Sequence, residues 1–142
     1  MRKLTLALVP LALTLLPGSL LAADKAMSIG QFEYLNSCAQ CHGAAGKGDG
    51  PLAAALKAGA PDLTQLQKAK GGVFPVSRVY QIINGGVQVP GHGKPEMLAW
   101  GFRYRSEAPG ALGPYYTPED ERADVEVRLL ALVEYIAALQ AK

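Results

Sequence analysis

Two cysteines three positions apart, with a histidine directly after the second, constrain this chain more than any other feature: Cys38-Ala39-Gln40-Cys41-His42. They are its only cysteines. At a helix end this spacing offers two thiols to the two vinyl groups of one haem as thioether bonds, while the next residue reaches the iron. His42 is then the expected proximal ligand through its outer ring nitrogen. A chain with such an attachment folds around the macrocycle, which contributes apolar volume that side chains need not supply.

Three other uses of the pattern stay open. A thiol redox centre belongs in a thioredoxin-like βαβ unit, and no such pattern surrounds the motif. A structural zinc site needs four closed ligands, and the pool is Cys38, Cys41, His42 and His92 with no second pair. A disulfide between the two cysteines closes a tiny loop and leaves His42 without a role.

The N-terminus places the motif in a compartment. Met1-Arg2-Lys3 precede an apolar run from Leu4 to Leu16, then Pro17-Gly18-Ser19 and a small-residue stretch ending Ala22-Ala23. Residues 1–23 therefore read as a secretory signal peptide, with 24–142 as a single domain expected in the periplasm. Leu21 fits the small-residue rule imperfectly, which leaves a neighbouring cleavage site open. So does an uncleaved N-terminal anchor, because Leu4 to Ala22 is almost long enough to span a bilayer. Pro10 and Pro17-Gly18 weaken that helix.

The formal net charge is +2; without Arg2 and Lys3 the remaining basic residues balance the 12 Asp and Glu. Such neutrality argues against a nucleic-acid partner. Acidic residues crowd the C-terminal segment, whereas Lys47, Lys57, Lys68, Lys70, Lys94, Arg103 and Arg105 lie in the middle. These are solvated loop charges or, taken together, a field that steers an acidic partner.

The rest of the chain reads as helix and loop. Ser28 with Gln31 forms a capping box for a helix to about Cys38 or Ala39. Gly30, Tyr34 and Cys38 share one face of it, so the glycine marks where another helix backbone can approach. Thr117-Pro118-Glu119-Asp120 opens a long helix to about Gln140. Its apolar stripe is Val125, Leu129, Leu132, Val133, Ile136 and Leu139.

Gly43 to Pro51 is an irregular loop, with short helices expected over Leu52 to Lys57 and from a Ser77 cap to Ile83. The glycine loop lacks the preceding strand and Lys-Ser/Thr ending of a phosphate cradle. No alternating pattern is long enough to build a sheet, so the fold class is all-α.

The segment from Val87 to Gly101 is rich in residues that bar regular structure, and it can arch over a flat ligand. Met97 within it is the expected sixth ligand; its thioether suits iron and raises the reduction potential relative to two imidazoles. His92 in the same loop is the competing ligand, and an open iron is the third possibility.

Taken in order, Gly30, Tyr34, Cys38-x-x-Cys41-His42, Pro61-Asp62-Leu63, the Met97 loop and Leu132-x-x-Tyr135 resemble the class I monohaem bacterial cytochromes c, over essentially all of residues 24–142. The resemblance implies a small cytochrome c fold: helices and loops wrapped around one covalent haem c, with the first and last helices crossing at the glycine and paired aromatics. It implies iron held by His42 and Met97, and a Pro61 carbonyl accepting a hydrogen bond from the inner nitrogen of His42.

Two departures stand out, a long loop from Gly43 to Ala60 and an insertion from Phe102 to Tyr116. The insertion, with Tyr104, Tyr115, Tyr116, Arg103 and Arg105, is expected as a packed Ω-loop or a docking surface. With both axial sites filled, the implied function is one-electron transfer rather than catalysis. Its partners would be membrane or periplasmic oxidoreductases met in transient complexes, with no small-molecule substrate. The alternatives are a haem enzyme with a labile or open distal site, and a fixed cytochrome subunit of a larger oxidoreductase.

Overall fold

The computed structural model describes residues 26–87, 89 and 100–141. Residues 1–23, expected as a signal peptide, and both candidate distal ligands, Met97 and His92, lie outside the described residues. Among the described residues five α-helices follow one another: α1 (Ile29–Ser37), α2 (Ala39–His42), α3 (Val76–Ile83), α4 (Trp100–Leu112) and α5 (Pro118–Ala138). Three single 3₁₀ turns, Ala53–Ala55, Leu63–Gln65 and Lys68–Lys70, lie between α2 and α3. Among the described residues there is no strand, so the fold is all-α.

The longest helix, α5, is the spine onto which α1, α3 and α4 pack. Thr117 starts it: the hydroxyl accepts from the Asp120 N–H, while the Asp120 carboxylate accepts from the Thr117 N–H at 2.8 Å. Pro118 sits where a missing N–H costs nothing, and Glu119, Asp120 and Glu121 complement the positive end of the helix dipole. From there Val125, Leu129, Leu132, Val133 and Ile136 turn inward and are buried. They meet Tyr34 of α1, Val79 and Ile83 of α3 and Tyr104 of α4 in one cluster. Fully burying an aliphatic side chain such as Leu129 or Leu132 is worth about 1.5–3 kcal/mol each.

The α1–α5 contact depends on Gly30. A Cβ there would overlap the Ala131 carbonyl oxygen and lie 2.6 Å from its carbon and 3.0 Å from Tyr135 Cβ. One turn on, the Tyr34 and Tyr135 rings pack with centroids 5.1 Å apart. Ser28 caps α1 by accepting from the Gln31 N–H at 3.1 Å.

Three local expectations need correction. The Phe102 to Tyr116 segment is not an Ω-loop: α4 occupies most of it, through Pro109 and Gly110. Arg103 and Glu107 pair across one turn at 2.6 Å, and Tyr104 and Ala108, also one turn apart, are both wholly buried. Tertiary packing thus outweighs the poor helix propensity of glycine and proline. Gly113, with φ +81°, ends the helix. The next helix to differ is α3, which starts at Val76 behind Pro75 rather than at a Ser77 cap. The Leu52 to Lys57 helix shrinks to the 3₁₀ turn Ala53–Ala55.

Candidate functional site

Between α1, α2, α3 and α5 lies a cavity of about 360 Å³, in the size range of small-molecule and cofactor sites. Cys38 and His42 line one wall with Pro61, Val79, Ile82 and Ile83 of α3 another, and Ile136 of α5 the floor. Leu63, Leu66, Ala69, Pro75 and Val89 complete an almost wholly hydrocarbon surface. Two cations, Lys70 and Arg78, also border it, and both residues are solvent-exposed.

The backbone explains how two motif residues reach this wall. At Cys38 the chain leaves α1 and starts a second short helix: the Cys38 N–H donates to the Tyr34 carbonyl at 2.8 Å, and the Cys38 carbonyl accepts from the N–H groups of Cys41 and His42. Gly43, with φ +77°, stops α2, and its carbonyl accepts from the Tyr34 hydroxyl at 2.8 Å.

The following glycine loop folds back over the motif. The Gly48 N–H donates to the His42 carbonyl at 2.8 Å, and the Gly50 N–H donates to that of Cys41 at 3.1 Å. Gly48 adopts φ +78°, and a Cβ on it would collide with the Ala60 carbonyl oxygen. The loop therefore presses the Ala60–Pro61 backbone close to α2. Pro61 O lies 3.0 Å from Nδ1 of the buried His42. With the proton on Nδ1, the lone pair of the ring sits on Nε2, which makes that atom the metal-binding nitrogen.

The far end of the chain closes this region. The Gln140 amide donates to the Leu63 carbonyl and accepts from the Gln67 N–H, each at 2.8 Å. The Ala141 N–H donates to the Thr64 carbonyl at 2.9 Å. The turns that carry Leu63, Leu66 and Ala69 into the cavity are thereby tied to the end of α5.

Electrostatics separate the chemical options for the cysteines. Cys38 and Cys41 are not joined to each other. Burial pushes the Cys38 thiol up to about 12; the Glu33 carboxylate raises it further, Arg103 opposes, and Cys41 adds a smaller upward push. A dithiol redox centre needs the opposite, a thiol acidified by its surroundings. Nor do three His, Cys, Asp or Glu side chains gather as a metal-holding group among the described residues, as a closed zinc cage requires.

Of the residues expected at the site, Cys38, His42 and Pro61 come together on the cavity wall, and Cys41 stands half-buried one turn from Cys38 without lining it. The sequence reading missed Ile136 as a cavity residue and the buried Glu33 behind Cys38. A signal for Glu33 existed: residues 30, 33, 34, 37 and 38 follow the period of one helix face, so a carboxylate falls on the inward stripe. Its partners, on α4 and α5, are too distant in sequence to be paired by pattern. No helix among the described residues is long and apolar enough to cross a membrane. Compared with protein-family models, curated proteins and solved structures, the chain matches none.

Proposed function

We propose that this chain is a periplasmic one-electron carrier of the small cytochrome c fold, with one covalently attached haem c. The observation that carries the reading is the setting of His42: it directly follows the second of two cysteines three apart, and it lies on the wall of an apolar cavity with Nδ1 against the Pro61 carbonyl. The donor set fits the group. Cys38 and Cys41 would hold it through thioethers, His42 would bind the iron through Nε2, and Met97 would supply the sixth ligand. The raised pKa of Cys38 favours a protonated thiol at neutral pH. Held by these residues, a haem would supply a one-electron couple.

The protein's own part is to orient, exclude water and set charge. The Pro61 carbonyl holds the His42 ring in one tautomer and one orientation. Leu63, Leu66, Val79, Ile82, Ile83 and Ile136 keep the cavity apolar, which disfavours the more charged oxidised state. Lys70 and Arg78 at its border are suited to the carboxylates of the macrocycle. A partner oxidoreductase would meet the protein through a small, transient interface, as redox encounters do.

The test is expression of the full chain in a host that matures c-type cytochromes, followed by intact mass and ferric absorption spectra. Covalent haem on a chain starting near Asp24, and a low-spin ferric spectrum with the weak sulfur-to-iron band, are expected. Met97→Ala should abolish that band. Bare apoprotein would overturn the haem proposal, and a high-spin ferric wild type would replace the carrier with a haem enzyme.

A further inference from the structure

Directly behind the Cys38 wall lies a charged ring that the proposed function leaves unused. Glu33 of α1 is only 1% exposed, yet it carries a carboxylate. Its Oε1 lies 3.1 Å from Nε of Arg128 on α5, and its Oε2 lies 3.5 Å from a terminal guanidinium nitrogen of Arg103 on α4. Glu107 closes the ring, 2.6 Å from Arg103 and 3.0 Å from Arg128. Both guanidinium groups lie over the Tyr104 ring, Arg128 4.6 Å and Arg103 5.5 Å from its centroid. The ring reaches the motif itself, because Arg103 donates to the Ser37 hydroxyl at 2.5 Å, one residue before Cys38.

Stability is a poor reason for such an arrangement. Taking charges out of water offsets most of what their pairing returns, and well-packed apolar residues of the same volume often do as well or better. Glu33 Oε2 makes no short hydrogen bond and meets Arg103 only at 3.5 Å, with the Tyr104 hydroxyl also interacting with this carboxylate. What the ring does provide is two negative and two positive charges held at fixed positions, Glu33 fully buried, the two arginines mostly so and Glu107 at the solvent edge, summing to zero. Two of them already act on the Cys38 sulfur in opposite senses, Glu33 raising and Arg103 lowering its pKa.

We propose that the Glu33, Arg103, Arg128 and Glu107 ring is a charge set-point for the redox group attached at Cys38, fixing its reduction potential through the balance of buried charge rather than through contact with the iron. The inference rests on the haem reading above. Removing a carboxylate leaves excess positive charge, which disfavours the oxidised state and raises the potential. Removing a guanidinium does the reverse. These are positioning and tuning residues, since none is a ligand or an attachment point.

The experiment is a spectroelectrochemical titration of the matured holoprotein and its variants, with the ferric spectrum and unfolding midpoint recorded for each. Glu33→Gln should raise the ferrous-to-ferric ratio at a fixed applied potential several-fold, on the order of one partly screened unit charge. Arg103→Gln should lower it by a similar factor, and the double variant should return close to wild type. Glu107→Gln at the exposed edge of the ring supplies a carboxylate variant that tolerates substitution, with a smaller shift in the Glu33→Gln direction. The sulfur-to-iron band should persist in all of them. Loosened packing that admits water would instead move every potential the same way. Shifts of one sign throughout, or a double variant that adds rather than cancels, overturn the proposal while leaving the haem reading intact. A wild type without covalent haem ends both.

Discussion

Gly30→Ala adds one methyl group at the place where α1 lies closest to α5. The new Cβ would overlap the Ala131 carbonyl oxygen and sit 2.6 Å from its carbon, where nonbonded carbons prefer about 3.5–4.0 Å. The obstacle is the backbone of a helix locked by its own hydrogen bonds, so no rotamer change relieves it. Instead α1 must retreat by roughly 1 Å, which loosens the Tyr34–Tyr135 ring contact and the burial of Tyr34 against α5. Overpacking of this kind costs about 1–3 kcal/mol, and the lost contacts bring it to the upper end or beyond.

Alanine's better helix propensity returns about 1 kcal/mol, which leaves a net loss of about 2 kcal/mol. Gly110→Ala is the matched control, since it is helical, has nothing within 4 Å of its would-be Cβ, and should gain about 0.5–1 kcal/mol. Urea unfolding followed by far-UV circular dichroism reads both from the midpoint at constant slope. A Gly30→Ala midpoint at or above wild type would refute the close-packed helix pair.

Tyr34→Phe removes the buried hydroxyl that donates to the Gly43 carbonyl and should cost about 1–2 kcal/mol in the same assay; an unchanged midpoint would mean that this bond does not hold the end of α2. Acid should also weaken the fold. Glu107 is held below its ordinary value of 4.5 chiefly by hydrogen bonding from Arg103, and Asp120 and Asp62 below 3.8 by hydrogen bonds from Thr117 and Thr64. Because the folded values are depressed, their contribution is complete above the ordinary carboxylate range and is lost as the pH falls through the lowered values. The urea midpoint should therefore be flat from about pH 7 to 5 and decline below about pH 4, less steeply in Asp120→Asn; a midpoint that rises on acidification contradicts this.

What could be read from sequence divides by range. The ends of α1 and α5 were legible because caps act within a few residues: Ser28 with Gln31, and Thr117 with Pro118 and Asp120. The inward stripe of α5 was legible for the same reason, as periodicity is a local property. α4 was not, since Gly101, Pro109 and Gly110 are local signals against a helix. Its helicity comes from Tyr104 and Ala108 packing into the core and from guanidinium pairs reaching α1 and α5. Intrinsic propensities cost about 1 kcal/mol per glycine and about 3 kcal/mol for an interior proline, so the helix needs the pairs to α1 and α5 as well as its two buried side chains.

The site divides in the same way. Cys38, Cys41 and His42 are adjacent in the chain, so their chemistry was readable without a fold. Their surroundings were not, because the cavity is assembled from α3, from the turns around Leu63 to Lys70 and from Ile136, nearly a hundred residues after Cys38. Glu33 shows what local reading discards. A carboxylate on an apolar stripe looks like an exception to the pattern until two arginines from distant helices are found against it. Burial of that charge is tolerable only because both arginines are supplied, so Arg103 and Arg128 bind the placement of α4 and α5 to the one turn of α1 that delivers Cys38. The fold and the proposed redox site are thus coupled through the same four side chains.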